Sequence, residues 1–181
     1  MESGFTVWFT GLPCAGKTTI CSLVEQRLKD HGRRVEVLDG DLVRENLSRG
    51  LGFSRADRDE NIRRIAFVSK LLTRNGVATL VAAISPYREA REAARREIGR
   101  FVEVYVSCPI EVCMERDSKG LYKKALAGEI PAFTGISDPY EPPLSPELIL
   151  HTDKESPAES AARVLDRLLE LGFLDSRPGK E

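Results

Sequence analysis

One short segment near the N-terminus constrains the fold of this chain more than any other feature. Residues 11–18 read GLPCAGKT and match the pattern G-x-x-x-x-G-K-[ST]. An apolar run at 5–10 precedes the segment, and a run with helical spacing of apolar residues follows it at 17–31. This order predicts a strand, a glycine-rich loop and a helix, whose unpaired N–H groups can bind phosphate. The alternative is a glycine-rich turn that matches the pattern by chance.

The rest of the chain continues to alternate short apolar runs with longer amphipathic ones. Further strands are predicted at 35–38, 77–84, 101–106 and 148–151, and further helices at 55–75, 87–99, 109–116 and 157–171. This alternation predicts an α/β fold, a parallel five-stranded sheet with helices on both faces, whose ligands bind at the carboxyl ends of the strands.

Residues 117–146 interrupt this rhythm with prolines, glycines and a lysine-rich patch, and we expect their first part, 117–137, to be a lid. We expect one P-loop domain over 1–175 and a polar tail over 176–181.

The composition excludes several functions. Lys and Arg number 27 and Asp and Glu 28, so the chain lacks the basic excess of a nucleic-acid-binding protein. No apolar run reaches the roughly 20 residues that span a bilayer, and the N-terminus does not resemble a signal peptide. The four cysteines form no CxxC pair. We therefore expect a cytoplasmic protein without nucleic-acid or membrane partners.

A phosphate-binding loop does not by itself identify a reaction. The chain has no guanine-reading N-K-x-D motif, which favours a kinase over a GTPase switch. Lys17 is expected to reach the β and γ phosphates of ATP, and the Thr18 hydroxyl to bind Mg²⁺. Asp39 and Asp41 flank Gly40 where the second strand ends; one carboxylate can hold Mg²⁺ while the other accepts a proton. A simple Asp-Gly turn, with Asp41 capping a helix, is the alternative.

Other polar and aromatic residues are candidates for binding the phosphoryl acceptor. Arg44, Arg58 and Asn61 suit an anion and sugar site, although a merely solvated helix face is equally compatible. Phe53 and Phe133 lie in polar stretches, where an aromatic ring either stacks on a base or anchors a small core.

Two further candidates follow the third strand and the fourth helix. Ser85 follows the third strand; without an adjacent base to activate it, binding is favoured over nucleophilic attack. Lys119 and its neighbouring lysines can close over phosphates and exclude water.

Several longer motifs together resemble the adenylylsulfate (APS) kinase family. Besides GLPCAGKTT at 11–19, they are LDGD (38–41), LGFS (51–54), DRDENIRRIA (57–66), ISPYREAR (84–91), RDSKGLYKKA (116–125) and FTGISDPYE (133–141). With the closing L-x-x-x-GF they cover nearly the whole chain, from Trp8 to Phe173.

The resemblance implies transfer of the ATP γ-phosphoryl group to the 3′-hydroxyl of adenylyl sulfate, which gives ADP and 3′-phosphoadenylyl sulfate (PAPS). It implies that the ATP phosphates bind to Gly11, Leu12, Pro13, Cys14, Ala15, Gly16, Lys17, Thr18 and Thr19. It implies that adenylyl sulfate binds to Asp41, Arg44, Phe53, Arg58, Asn61, Ile84, Ser85, Lys119 and Phe133. Lys17, Asp41 and Ser85 form the expected catalytic set, with Asp41 as the base; Thr18 and Asp39 are the expected Mg²⁺ ligands.

Ser85 matches a serine that this family is described as phosphorylating, but we favour direct transfer with Ser85 as a ligand. A homodimer is expected, and association or fusion with an ATP sulfurylase is an option. Where the family commonly has Ser-Gly, Asn and Asp-Thr-Pro, this chain has Pro13-Cys14, Leu42 and Ser107-Cys108-Pro109.

Three alternatives stay open, the most distant of them a soluble α/β domain without a ligand. A kinase for another small hydroxyl compound would share Lys17 and the lid but would not need two aromatic residues around a base. A non-catalytic nucleotide-binding partner should have lost Asp41 or the lid lysines, and both are present.

Overall fold

In a computed structural model that describes residues 3–175, a five-stranded parallel sheet lies between two layers of helices. The predicted polar tail, 176–181, lies outside the described residues. The strands are β1 (Phe5–Thr10), β2 (Val35–Asp39), β3 (Ala78–Ala82), β4 (Phe101–Ser107) and β5 (Leu148–His151). The helices are α1 (Lys17–Asp30), α2 (Gly40–Glu45), α3 (Arg55–Arg74), α4 (Arg88–Ile98), α5 (Ile110–Glu115), α6 (Leu121–Leu126) and α7 (Pro157–Glu170). The predicted fold class is confirmed.

The sheet order is β2-β3-β1-β4-β5, so β1 is the central strand and all of its residues are buried. Because β1 pairs in parallel with β3 and β4, the carboxyl ends of these strands meet at one edge. β2 ends at the same edge, since Asp39 pairs with Ala82. The glycine-rich loop, the D-G-D turn and Ser85 therefore leave the sheet side by side.

Alternate side chains of the strands supply two cores. Phe5, Val7 and Phe9 belong to the core shared with α1 and α7. Trp8 and Val81 point the other way, into the core shared with α3 and α4. Burial of both sheet faces explains why the strand sequences read as continuous apolar runs.

Two short helices depart from the sequence-based prediction. α2 begins directly after Asp39, where a turn was the simpler interpretation, and its cap is Asp39 rather than Asp41. α6 lies inside the segment that was predicted to be irregular, and the Asp117 carboxylate accepts hydrogen bonds from the N–H groups of its first turn. Within residues 3–175, no helix is both long enough and apolar enough to cross a membrane.

Candidate active site

The loop between β1 and α1 is tightly packed against the sheet. A side chain at Gly11 would place its Cβ 2.4 Å from the carbonyl oxygen of Val106, so only glycine fits there. Gly16 caps α1 in the left-handed conformation, with φ of 103°. The carbonyl of Ala15 accepts a hydrogen bond from Thr152 Oγ1 at 2.8 Å. The loop thus leads directly into a helix N-terminus, where its backbone can bind phosphate oxygens.

Lys17 is the buried cation of this loop. Its Nζ donates to the carbonyl oxygens of Gly11 at 3.0 Å and Leu12 at 2.7 Å, so the side chain folds back over the loop. Burial lowers the pKa of Lys17 to about 8.

Pro13 and Cys14 stand at the turn of the loop, and Cys14 adopts a positive φ of 62°. The positive charge near Cys14 does not activate its thiol, because burial, aided by Asp117, raises its pKa.

Thr18 and Asp39 lie together as the sequence predicts. Thr18 Oγ1 donates to Asp39 Oδ2 at 2.8 Å, and Asp39 Oδ1 accepts from the backbone N–H of Asp41 at 3.0 Å. A hydroxyl and a carboxylate are hard oxygen donors of the kind that bind Mg²⁺ beside nucleotide phosphates, so the pair fits that ion. Thr19, the next residue of α1, is exposed.

Asp41 and Lys119 form an ion pair across the site. Asp41 lies in the first turn of α2, and Lys119 lies just before α6, in the segment predicted to be a lid. The hydrogen bond to Asp41 raises the pKa of Lys119. The structure therefore brings the predicted base and the predicted lid cation together, although 78 residues separate them in sequence.

The buried side chain of Arg58 ties both predicted aromatic walls together. Its Nε donates to the carbonyl oxygen of Phe53 at 2.8 Å, and its terminal nitrogens donate to the Ala132 carbonyl and the Thr134 hydroxyl on either side of Phe133. Arg58 is predicted as a substrate ligand, and in this structure its side chain bonds to the backbone of Phe53 and to both neighbours of Phe133.

The two rings themselves differ in burial. Phe53 is exposed, and the Arg44 guanidinium lies 4.5 Å from its ring centroid. Phe133 is buried, and its ring meets that of Tyr122 edge-on at 5.0 Å.

Asn61 and Ile84 complete this side of the site. Asn61 is buried, and its Oδ1 has no hydrogen-bond partner among the described residues, so it can accept one from a ligand. The backbone carbonyl of Ile84 accepts from Thr10 Oγ1 at 2.7 Å.

Ser85 is buried and held on all sides. Its Oγ accepts from Trp8 Nε1 at 2.9 Å and donates to the Ala83 carbonyl at 3.1 Å. Its backbone has a positive φ of 42°, and its carbonyl accepts from Arg91 at 2.6 Å. The hydroxyl proton is already engaged, which suits a fixed ligand better than a nucleophile.

The sequence did not indicate several buried residues that form hydrogen bonds or ion pairs with the predicted site residues. Trp8 Nε1 donates a hydrogen bond to the Ser85 hydroxyl, and the Thr134 hydroxyl accepts one from Arg58. Tyr122 Oη donates to the Pro13 carbonyl at 3.0 Å. Arg91 pairs with buried Glu103 at 2.8 Å and also reaches the Ser85 carbonyl. Tyr122 and Arg91 stand inside motifs quoted above, and Ser85 belongs to the same motif as Arg91. The contacts of Tyr122 with Pro13 and of Arg91 with Glu103 join different segments, so no local pattern indicates them.

Comparison with known proteins identifies a family. The model for "Adenylylsulphate kinase" matches residues 3–151. An adenylyl-sulfate kinase from Rippkaea orientalis is 61% identical over 173 residues, which are 96% of each chain. Among solved structures, a Mycobacterium tuberculosis APS kinase in complex with AMPPNP and APS superposes with a TM-score of 0.90, at 46% identity and over 93% of this chain and 99% of that one.

Two further matches are parts of longer chains. A "probable bifunctional SAT/APS kinase 2" from Sorangium cellulosum is 57% identical over 97% of this chain and 30% of its own length. A hexameric APS kinase from Thiobacillus denitrificans is 36% identical, with a TM-score of 0.74, over 96% of this chain and 30% of that one.

Proposed function

The chain belongs to the adenylylsulphate kinase family, and we propose that it transfers the γ-phosphoryl group of ATP to the 3′-hydroxyl of adenylyl sulfate, giving ADP and PAPS. One observation carries this proposal. A single buried arginine, Arg58, holds two aromatic residues, Phe53 and Phe133, at the sheet edge that also bears the phosphate-binding loop. A kinase whose acceptor contains no base has no need of such a pocket.

The loop and Lys17 bind the phosphates of ATP. The backbone N–H groups of residues 11–18 and the N-terminus of α1 supply neutral donors, and Lys17 supplies the positive charge. Burial makes this charge effective, because an ion pair is stronger where water is excluded. Lys17 gives up its bonds to the Gly11 and Leu12 carbonyls in favour of phosphate oxygens.

We assign Thr18 and Asp39 as the residues that hold Mg²⁺. When bound, the ion offsets the negative charge that develops on the phosphate oxygens during transfer. The hydrogen bond from Asp41 N to Asp39 Oδ1 keeps the Asp39 carboxylate facing Thr18.

Asp41 is the proposed base. Its carboxylate accepts the proton of the 3′-hydroxyl while that oxygen bonds to the γ-phosphorus and the bond to the ADP oxygen breaks. The Lys119 ammonium pairs with this carboxylate and so places the cation of the predicted lid beside the proposed base.

The acceptor lies between Phe53 and Phe133. Arg44 at one side offers positive charge for the sulfate and phosphate groups, and Asn61 Oδ1 offers an acceptor for a donor of the nucleoside. Ile84 and Ser85 form the floor of this pocket. We propose direct in-line transfer, with Ser85 as part of the pocket, because its hydroxyl is buried and hydrogen-bonded twice.

The setting of the enzyme is also a proposal. The bifunctional relative supports association or fusion with an ATP sulfurylase. Four free thiols, Cys14, Cys21, Cys108 and Cys113, support a reducing, cytoplasmic location. A homodimer is our expectation, and sedimentation would distinguish it from the hexamer of the Thiobacillus relative.

The decisive experiment measures ADP release from Mg-ATP with and without adenylyl sulfate and identifies the product by mass. ADP that appears only with adenylyl sulfate, together with a product heavier by one phosphoryl group, is the expected result. The proposal would be refuted by a folded, ATP-binding protein whose rate of ADP release does not depend on adenylyl sulfate. Gluconate and shikimate would then be the next acceptors to screen, because kinases of such compounds share the fold.

A further inference from the structure

Tyr122 is a buried residue with one neighbour in each half of the proposed site. It is the second residue of α6, and only 1% of its surface is exposed. Its hydroxyl donates to the carbonyl oxygen of Pro13 in the phosphate-binding loop at 3.0 Å. Its ring meets the Phe133 ring edge-on, with centroids 5.0 Å apart and an interplanar angle of 75°. One side chain therefore contacts both the nucleotide loop and an acceptor wall.

The hydrogen bond to Pro13 lies directly before a residue with a strained backbone conformation. The next residue, Cys14, has a φ of 62° and a side chain, so it occupies a conformation that glycine adopts much more easily. Because a peptide unit is planar and trans, the Cys14 N–H points away from the Pro13 carbonyl. Fixing that carbonyl on the protein side therefore turns the Cys14 N–H towards the phosphate side.

The hydroxyl of Tyr122 is suited to this task. Burial raises its pKa above the ordinary value, so the group stays protonated and remains a donor. The ring contact needs no hydroxyl, because edge-on packing is a property of the two aromatic rings. The two functions of this side chain can therefore be separated by mutation.

We propose that Tyr122 is a positioning residue for both substrates: its hydroxyl sets the nucleotide loop through Pro13, and its ring sets the acceptor wall through Phe133. This inference rests on the proposed function, because it takes ATP and adenylyl sulfate as the two ligands. Tyr122 itself contacts neither of the reacting atoms.

The first test removes only the hydroxyl. Tyr122→Phe should weaken binding of a non-hydrolysable ATP analogue with Mg²⁺ by about three- to tenfold, as expected for one lost hydrogen bond. KM for ATP should rise by the same factor, while kcat and the affinity for adenylyl sulfate stay within about twofold. The matched control is Tyr105→Phe, a half-buried tyrosine of β4 whose ring stacks on Tyr140; it should leave both affinities unchanged.

The second test also removes the ring. Tyr122→Leu should show the same loss for the ATP analogue and, in addition, weaken adenylyl sulfate binding by about fivefold, because Phe133 loses its aromatic neighbour. Melting temperatures of the three variants establish that each is folded before its affinities are compared.

Two results would overturn the proposal. One is a folded Tyr122→Phe protein that binds the ATP analogue as the wild type does; the other is a loss of adenylyl sulfate affinity in Tyr122→Phe equal to that in Tyr122→Leu. A wild-type chain that binds the ATP analogue but not adenylyl sulfate would instead refute the proposed function. The Tyr122→Phe effect on the ATP analogue would then still decide the role of the hydroxyl.

Discussion

The two halves of the site differ in how deeply their charged and aromatic side chains are buried. On the nucleotide side, Lys17 is only 8% exposed and bonds to the loop around it. On the acceptor side, the side chains of Asp41 and Lys119 are 76% and 62% exposed, and Phe53 is 60% exposed. The exceptions on this side are Arg58, which is 7% exposed, and Phe133, which is buried against Tyr122.

This difference indicates where each substrate obtains its binding energy. The nucleotide loop is preorganised by packing and hydrogen bonds, so a ligand there does not have to order it. On the acceptor side, the ligand must displace water and immobilise exposed side chains, which costs part of the binding energy. We therefore expect substitutions in the nucleotide loop to abolish activity, and substitutions of the exposed acceptor-side residues to reduce it only in part.

The largest effect should come from the buried cation. Lys17→Ala should lower kcat/KM by about 10³-fold, because it removes the positive charge that stabilises the transferring phosphoryl group. Steady-state kinetics on protein of confirmed melting temperature would measure this. Lys29→Ala, at an exposed lysine near the end of α1, is the matched control and should behave like the wild type. Equal losses in the two variants would contradict a special role for burial.

The next effect should separate two carboxylates that stand two residues apart. Asp41→Ala should lower kcat by about 10²- to 10³-fold, as expected for loss of a general base, and should retain affinity for an ATP analogue. Asp39→Ala should instead weaken Mg²⁺-dependent nucleotide binding. Calorimetric titration with the analogue would distinguish the variants, and wild-type turnover in Asp41→Ala would remove the proposed mechanism.

The two aromatic walls provide a comparison within the acceptor side. Phe53→Ala should raise KM for adenylyl sulfate by about tenfold through lost stacking, with little change in stability. Phe133→Ala should raise KM similarly and also cost about 3 kcal/mol of folding stability, because it leaves a cavity in the core. Urea denaturation of both variants would measure this difference. Equal stabilities would mean that the burial of Phe133 contributes nothing.

The pH dependence of nucleotide binding should report on Lys17 alone. Its pKa of about 8 in the free protein means that the cation is progressively lost above that pH. Phosphate groups favour the charged form, so binding takes up a proton and affinity should fall about fourfold between about pH 7 and 8.5. Titrations in two buffers of different ionisation enthalpy would measure the proton uptake. Cys14 stays a thiol over this range, since its pKa is raised; a flat profile would contradict the lowered pKa of Lys17.

A similarly small effect is expected at Ser85. Ser85→Ala should retain activity within about tenfold, because it removes hydrogen bonds that shape the pocket rather than a nucleophile. Initial rates at saturating adenylyl sulfate would test this. Complete inactivity with intact adenylyl sulfate binding would favour a phosphoserine intermediate.

The sequence predicts best what depends on neighbouring residues. The five strands and the helices α1, α3, α4, α5 and α7 follow from apolar spacing and local caps. Ser54, for example, caps α3 by accepting a hydrogen bond from Asp57 N. The helices α2, α5 and α6 are each six residues long, and only α5 has a clear local signal, Pro109 at its start. α2 was expected only in the alternative in which Asp41 caps a helix. α6 was not predicted, because it depends on tertiary contacts such as that of Tyr122 with Pro13.

The candidate site shows the same division. Residues at strand ends could be placed at one edge from the parallel topology alone, and this put Asp39, Asp41 and Ser85 beside the phosphate-binding loop. The grouping of Lys17, Asp41 and Ser85 as a catalytic set came from the resemblance to the family. The contacts of Arg58 with Thr134 and of Trp8 with Ser85 join residues 76 and 77 positions apart. No local spacing encodes such contacts, so the residues that position Arg58 and Ser85 could be identified only from the folded structure.

The hydrogen bond between Trp8 and Ser85 gives the protein an internal optical reporter. Trp8 is the chain's single tryptophan and is fully buried, so all of its indole fluorescence comes from one fixed position. Because the indole N–H donates to the Ser85 hydroxyl, the emission depends on the polarity and hydrogen bonding around Ser85, at the floor of the proposed acceptor pocket. Binding at that pocket can therefore be followed in the unlabelled protein, without adding a dye or a tag.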